Sequence, residues 1–140
     1  MVGSERAVRI DATSLAVDDV TKQLQGDLPL AFAGGRLWAR TADAGLASFT
    51  PDLDDRRLYD VPGQVFPDAA VVNDDVYVAY GGSSGGASTL LRIDTTLDKP
   101  TSVVKLPAGR SMEYGIDSDG ACLWVPLVSM HEVYRACPTA

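Results

Sequence analysis

A short unit recurs along the chain and limits the folds open to it. Its last copy, Asp119 to Cys137 (DGACLWVPLVSMHEVYRAC), reads as two short strands joined by a tight connection. The first strand holds Leu123-Trp124-Val125 and the second Val133-Tyr134-Arg135. The same pattern runs from Gly35 to Leu53 and from Asp75 to Leu97, and a fragment of it, Val8 to Leu15, opens the chain. Arg9-Ile10-Asp11, Ser48-Phe49-Thr50, Arg92-Ile93-Asp94 and Arg135-Ala136-Cys137 superpose at spacings of 39, 44 and 43 residues, a mean period of 42. Trp38, Tyr77 and Trp124 superpose at spacings of 39 and 47. Such a period means that one supersecondary unit is repeated and that neighbouring copies bury each other's apolar faces.

Helical periodicity is nearly absent. Ser14 to Gln25 comes closest, but no cap supports a helix, so it reads as a turn leading into a strand. Elsewhere β-branched and aromatic runs alternate with Gly, Pro, Asn and Asp clusters. This predicts strands at 7–11, 20–25, 30–33, 36–40, 46–50, 57–61, 68–72, 76–80, 89–94, 101–106, 114–117, 122–127 and 132–136. About four short strands in a repeat of roughly 40–50 residues is the signature of β-propeller blades. The expectation is an all-β chain of four-stranded antiparallel blades in a single propeller-type domain, 1–140. It divides into a partial blade 7–25, blades 30–61 and 68–106, and a partial blade 114–137. A sandwich or open barrel is the alternative, and it would not need the recurrence. Three repeats fall short of the roughly 4–8 blades of a closed ring. The expected partners are therefore further copies of the chain, as a homodimer or higher assembly that completes a ring, or the blades of a longer protein.

With 140 residues, 46% of them hydrophobic, the chain can bury a core as one domain. Its 13 Gly and 8 Pro suit a turn-rich β protein. The net charge is −7 and no Lys/Arg cluster occurs, Arg56-Arg57 and Arg110 being isolated. Nucleic acid and anionic membranes require basic surface, so neither is an expected partner. No apolar run approaches the ~20 residues that span a bilayer. The opening MVGSERAV lacks the basic start and apolar core of a signal peptide, so any export signal is expected outside it.

Cys122 and Cys137 stand at the two ends of the last hairpin. If the connection is centred between Ser129 and Met130, the cysteines face each other. A four-residue loop from Val128 to His131 then puts both Cys122–Cys137 and Pro126–Val133 at non-hydrogen-bonded sites, which suits a proline without an N–H. A disulfide is predicted, and with it an extracytoplasmic or secreted location. Without it, two small buried thiols in the cytoplasm remain the reading. One His and two Cys in the whole chain do not make a zinc site.

No catalytic constellation emerges. His131 sits at a hairpin tip beside Glu132. Gly81 to Gly86 is Gly-rich but joins two strands, without the Lys and helix of a phosphate loop. Asp52, Asp54, Asp55, Asp68, Asp74, Asp75, Asp117 and Asp119 read as Asx-turn residues rather than calcium ligands. If there is a site, propeller geometry places it on the loops 40–45, 62–68, 81–88, 107–114 and 128–131, which share one face. The side chains there with recognition chemistry are Arg40, Asp43, Gln64, Phe66, Arg110, Met112, Glu113, Tyr114 and His131. They form the candidate ligand-binding set. No catalytic residue, metal or cofactor is expected.

The phrase Asp119-Gly120, Leu123-Trp124-Val125, Val133-Tyr134-Arg135 with Pro138 resembles the propeller superfamily that includes streptogramin-lyase-like, YVTN and NHL repeats. Leu91-Arg92-Ile93-Asp94-Thr95-Thr96-Leu97 carries the same resemblance, which covers nearly the whole chain. It implies about three blades. It is nearly silent on function, because that superfamily includes lyases, sensor domains of membrane receptors and scaffolds. The metal with His and Glu partners used by the lyases has no matching constellation here. The expected function is a non-enzymatic ligand- or protein-binding or sensor module. The alternative is a metal-assisted lyase or hydrolase with its site at the channel mouth. A purely structural assembly element is the third reading.

Overall fold

The computed structural model of the chain describes residues 6–23, 27–61, 63–81, 89–106, 115–127 and 132–138. They form thirteen strands and no helix. A hairpin comes first, β1 (Arg6–Ile10) with β2 (Val17–Gln23). The first four-stranded sheet holds β3 (Leu28–Ala33), β4 (Arg36–Arg40), β5 (Leu46–Phe49) and β6 (Arg57–Tyr59). The second holds β7 (Gln64–Val72), β8 (Asp75–Gly81), β9 (Thr89–Asp94) and β10 (Lys99–Lys105). The third holds β11 (Asp117–Ser118), β12 (Leu123–Leu127) and β13 (Glu132–Ala136). Every pairing is antiparallel and every sheet keeps its strands in chain order. The chain is therefore all-β, as its punctuation predicts.

The turns follow from local chemistry. Gly34-Gly35 and Asn73-Asp74 are two-residue loops with positive φ at both positions (58° and 71°, 51° and 65°). That is the backbone a right-twisted hairpin asks for, and Gly, Asn and Asp adopt it most readily. Pro29, Pro67 and Pro100 lie in strands, each at a break in register. A proline cannot donate to the ladder, and an irregularity lets the strand continue past it. This is why β7 begins at Gln64 instead of at residue 68, where the sequence reading starts it. β2 likewise begins at Val17 rather than at 20, and β11 shortens to Asp117–Ser118.

Strand alternation gives each sheet two faces, and the sheets stack through them. Ala33, Trp38 and Leu46 of the first sheet meet Val65, Val76, Val78, Leu91 and Ile93 of the second. On its other face the second sheet presents Ala70, Tyr77, Ala79 and Leu90 to Ile116, Leu123, Val125 and Leu127 of the third. The middle sheet is thus apolar on both sides, and the polar/apolar alternation of β8 is lost because nearly all of it is buried. The sheets approach each other most closely along their first strands, β3 to β7 and β7 to β11. Trp38, Leu46, Leu90, Ile93, Leu123 and Val125 are almost fully buried. Each such side chain contributes about 1.5–3 kcal/mol of apolar burial.

Candidate functional site

Polar side chains gather at turns and at the seams between sheets. Asp11 Oδ1 accepts hydrogen bonds from the amides of Thr13 (3.0 Å) and Ser14 (2.7 Å) and from the Ser14 hydroxyl (2.9 Å). Asp94 repeats the arrangement with Thr96 N (3.0 Å), Leu97 N (3.0 Å) and Thr96 Oγ1 (2.6 Å). In both, the fourth residue onward has positive φ, Leu15 and Asp98. The sequence repeat of Arg-Ile-Asp is thus a repeated turn. Asp119 accepts from Ala121 N (3.0 Å), Cys122 N (2.7 Å) and Trp124 Nε1 (3.2 Å). These donors hold the Asp11, Asp94 and Asp119 carboxyls below the usual range, the Ser14, Thr96 and Cys122 bonds being the largest respective causes.

Several other aspartates are not local turn residues. Asp68 Oδ2 reaches the third sheet and accepts from Gly115 N (2.6 Å) and Ile116 N (3.0 Å). Asp74 Oδ1 reaches the first sheet at Gly34 N (3.0 Å). Asp75 pairs with Arg92 across β8 and β9 (2.6 Å). Asp55 pairs with Arg36 (3.1 Å) and Arg57 (2.7 Å), and both bonds lower its carboxyl, that of Arg57 most. The Asx-turn reading therefore holds for Asp119 and is corrected for Asp55, Asp68, Asp74 and Asp75. The carboxylates of Asp68, Asp74 and Asp75 serve contacts distant in sequence, and Asp55 bonds both the nearby Arg57 and the distant Arg36.

The densest polar cluster was not singled out from the sequence. Asp98, in the turn between β9 and β10, accepts from Tyr59 Oη (2.6 Å), pairs with Arg57 and lies 3.9 Å from Arg36 Nε. Arg36 donates from Nε to Ser48 Oγ (2.7 Å), and Ser48 Oγ lies 2.7 Å from Tyr59 Oη. Ser48 is fully buried. Burial, followed by the Asp98 hydrogen bond, raises the Tyr59 phenol. A turn of the second sheet is thereby fastened to the first. A sequence signal existed: Asp98 follows Leu97 just as Asp54 follows Leu53 in the previous copy. A further pair, Asp27 with Arg56 (2.8 Å), has its carboxylate buried.

Of the predicted binding residues, Arg40, Asp43, Gln64 and Phe66 fall within the described chain; Arg40 ends β4, Asp43 lies in the turn after it, Gln64 and Phe66 lie in β7 and not in a loop, and that turn meets the start of β7. Val65 N donates to Ala44 O (2.8 Å), and Arg40 Nε donates to Val65 O (2.7 Å). Arg40 thus closes the seam between the sheets. Phe66 is half-buried against the core shared by the second and third sheets. Asp43 and Gln64 are exposed. The Thr41 hydroxyl donates to Asp43 and is the main cause of its lowered carboxyl pKa. Arg110, Met112, Glu113, Tyr114 and His131 lie outside the described residues.

Register in the last hairpin pairs Leu123 with Ala136 and Pro126 with Val133, which carries Cys122 to Cys137. Their sulfurs are at disulfide distance, 2.05 Å, with Cα atoms 4.1 Å apart. This pair is compatible with an extracytoplasmic location. Among the described residues, no group of three or more His, Cys, Asp and Glu could hold a metal ion, and no helix is long and apolar enough to cross a membrane. In comparison with known proteins, neither a family model nor a curated sequence matches the chain.

Proposed function

We propose that the chain is a propeller-type binding module without catalysis of its own, whose sheets are blades and whose recognition surface is the end carrying residues 40–45 and 63–66. One observation carries this reading. Residues 25 apart in sequence, Arg40 and Val65, are bonded, so the turn after β4 and the start of β7 share one end, where Asp43 and Gln64 are exposed. Convergence of the first strands of successive sheets supports the blade arrangement. The disulfide-distance pair supports work outside the cytoplasm, as a sensor or as a binding domain for a small molecule or another protein.

The test is an amide-resolved NMR titration against saccharides, short acidic and basic peptides, calcium and magnesium. Binding is expected to shift the amides of residues 41–45 and 63–65. Gln64→Ala should weaken it without changing the melting temperature. Shifts confined to the opposite end, at 34–35, 73–74 and 119–120, would sink the placement. Conversion of a probe in the presence of a divalent ion would favour a metal-assisted hydrolase or lyase instead.

A further inference from the structure

The aromatic position of the repeat always lies on the same face of its sheet, and inside the chain that face is covered twice. Trp38 is 0% exposed against the second sheet and Tyr77 1% against the third. Trp124 occupies the matching place in the third sheet and is 38% exposed. Register sets Asp117, Trp124 and Arg135 in one rung across β11, β12 and β13. The next rung holds Pro126 and Val133, with Val133 62% exposed. On the other side the strands end at the Cys122–Cys137 pair. Asp117 and Arg135 are both exposed. The Arg135 guanidinium lies 5.1 Å from the Trp124 ring centroid, which places a cation over the indole. The central rung therefore runs acid, aromatic, base.

We propose that this face pairs with the same face of a second copy, about a two-fold axis parallel to β12. Such a rotation reverses the order of strands and preserves position along them. Asp117 then faces the second copy's Arg135, and Arg135 faces its Asp117. Trp124 meets Trp124, and Pro126 meets Pro126. A two-fold axis across the strands would set Asp117 on Asp117 and Arg135 on Arg135, so charge selects the first arrangement. Three strands ~4.8 Å apart and five residues at ~3.3 Å each give a flat footprint of roughly 240 Å². A stable interface needs about 800 Å² per partner, so the dimer is weak. The face lies apart from residues 40–45 and 63–66, so this proposal and the binding reading stand or fall separately.

The test is sedimentation equilibrium of the full chain from about 5 µM to about 1 mM, a range that reaches weak dimers. The wild type should move from monomer to dimer and stop there. Asp117→Arg alone and Arg135→Asp alone each set like charges face to face and should weaken self-association about tenfold or more. Mixed together, the two variants should form a heterodimer close to wild-type affinity, because each then supplies what the other lacks. A monomer at the highest concentration, self-association indifferent to both reversals, or a mixture that fails to associate overturns the proposal. So does growth beyond a dimer, which signals head-to-tail stacking through another face. Should a charge variant not fold, Trp124→Ala at this half-exposed site takes its place, and a dimer that persists in it refutes the arrangement.

Discussion

Replacing Asp68 with alanine tests whether the sheets are held by polar seams as well as by apolar burial. Asp68 Oδ2 accepts two amide hydrogens from the start of the third sheet, Gly115 N at 2.6 Å and Ile116 N at 3.0 Å. Hydrogen bonds to a charged acceptor contribute about 1.5–3 kcal/mol each, and a buried donor left unpaired costs about 1–3 kcal/mol. The two amides differ in what replaces the carboxylate. Gly115 is exposed, so water takes over its bond, whereas Ile116 is buried and its amide loses its acceptor. The expected loss for Asp68→Ala is therefore about 2–3 kcal/mol, most of it at Ile116. Asp68→Asn keeps an acceptor without the charge and should lose about 1 kcal/mol. At ~2.1 cal/mol/K per residue, a 140-residue chain should melt roughly 7–10 °C lower with alanine. Urea unfolding gives the free energy, and native-state hydrogen exchange gives the site. Ile116 should lose protection while Val78 and Leu91 keep theirs. Alanine and wild type within about 0.5 kcal/mol of each other, with Ile116 still protected, would refute the reasoning.

Four further outcomes are expected. Reducing the Cys122–Cys137 pair, or replacing both residues with serine, opens a loop with sequence separation 15 and should cost up to about 3 kcal/mol by chain entropy, measured by urea unfolding with and without reductant. Asp11, Asp55, Asp94 and Asp119 have folded pKa values below their unfolded value, so they support the fold above about pH 4. That support should fade as pH falls through their folded values, and a melting temperature flat from about pH 5 to pH 2 would contradict it. Tyr59 and Tyr77 are raised by burial, so their share of stability is present below about pH 10 and is lost as pH rises through the folded values. Phenolate absorbance should show two tyrosines ionising late or only on unfolding. Gly34→Ala should destabilise by more than about 2 kcal/mol, because φ is +58° and the new Cβ would sit 2.4 Å from Thr95 Cβ. Unfolding midpoints of Gly34→Ala beside Gly35→Ala, where nothing lies within 4 Å, separate crowding from backbone strain.

Strand positions were legible because Gly, Asn, Asp and Pro punctuate short β-branched runs, and punctuation is local chemistry. The cysteine pairing was legible for a related reason. Register within a hairpin is fixed by its own turn, so centring the connection between Ser129 and Met130 was enough to oppose Cys122 and Cys137. Strand limits at Pro67 and Pro100 were less legible, because a proline reads as an end where an irregular register lets the strand run on. The seam contacts could not be read at all. Asp68 and Ile116 are 48 residues apart, and nothing between them encodes which turn of one sheet touches which strand of the next.

That difference decides how the candidate site should be weighed. Arg40 was singled out because a guanidinium in a loop is good recognition chemistry, yet its Nε is committed to Val65 O. Phe66 was singled out as an aromatic in a loop, yet it packs half-buried on the core shared by the second and third sheets. In a stack of sheets, each copy of the repeat needs side chains at its ends to meet the neighbouring copy. Arg, Asp and aromatic residues meet that need for the same reasons that they bind ligands: long reach, charge and flat apolar area. Seam residues therefore imitate site residues in the sequence. What separates them is whether the polar atoms are taken up by partners distant in sequence. Asp74, Asp75 and Asp98 have them, bonded to Gly34, Arg92 and the Arg57–Tyr59 pair. Asp43 and Gln64 stand where the turn after β4 meets the start of β7 with solvent before them, and the Trp124 rung stands uncovered at the end of the stack. The other polar side chains described above are already bonded within turns, within a sheet or from one sheet to the next.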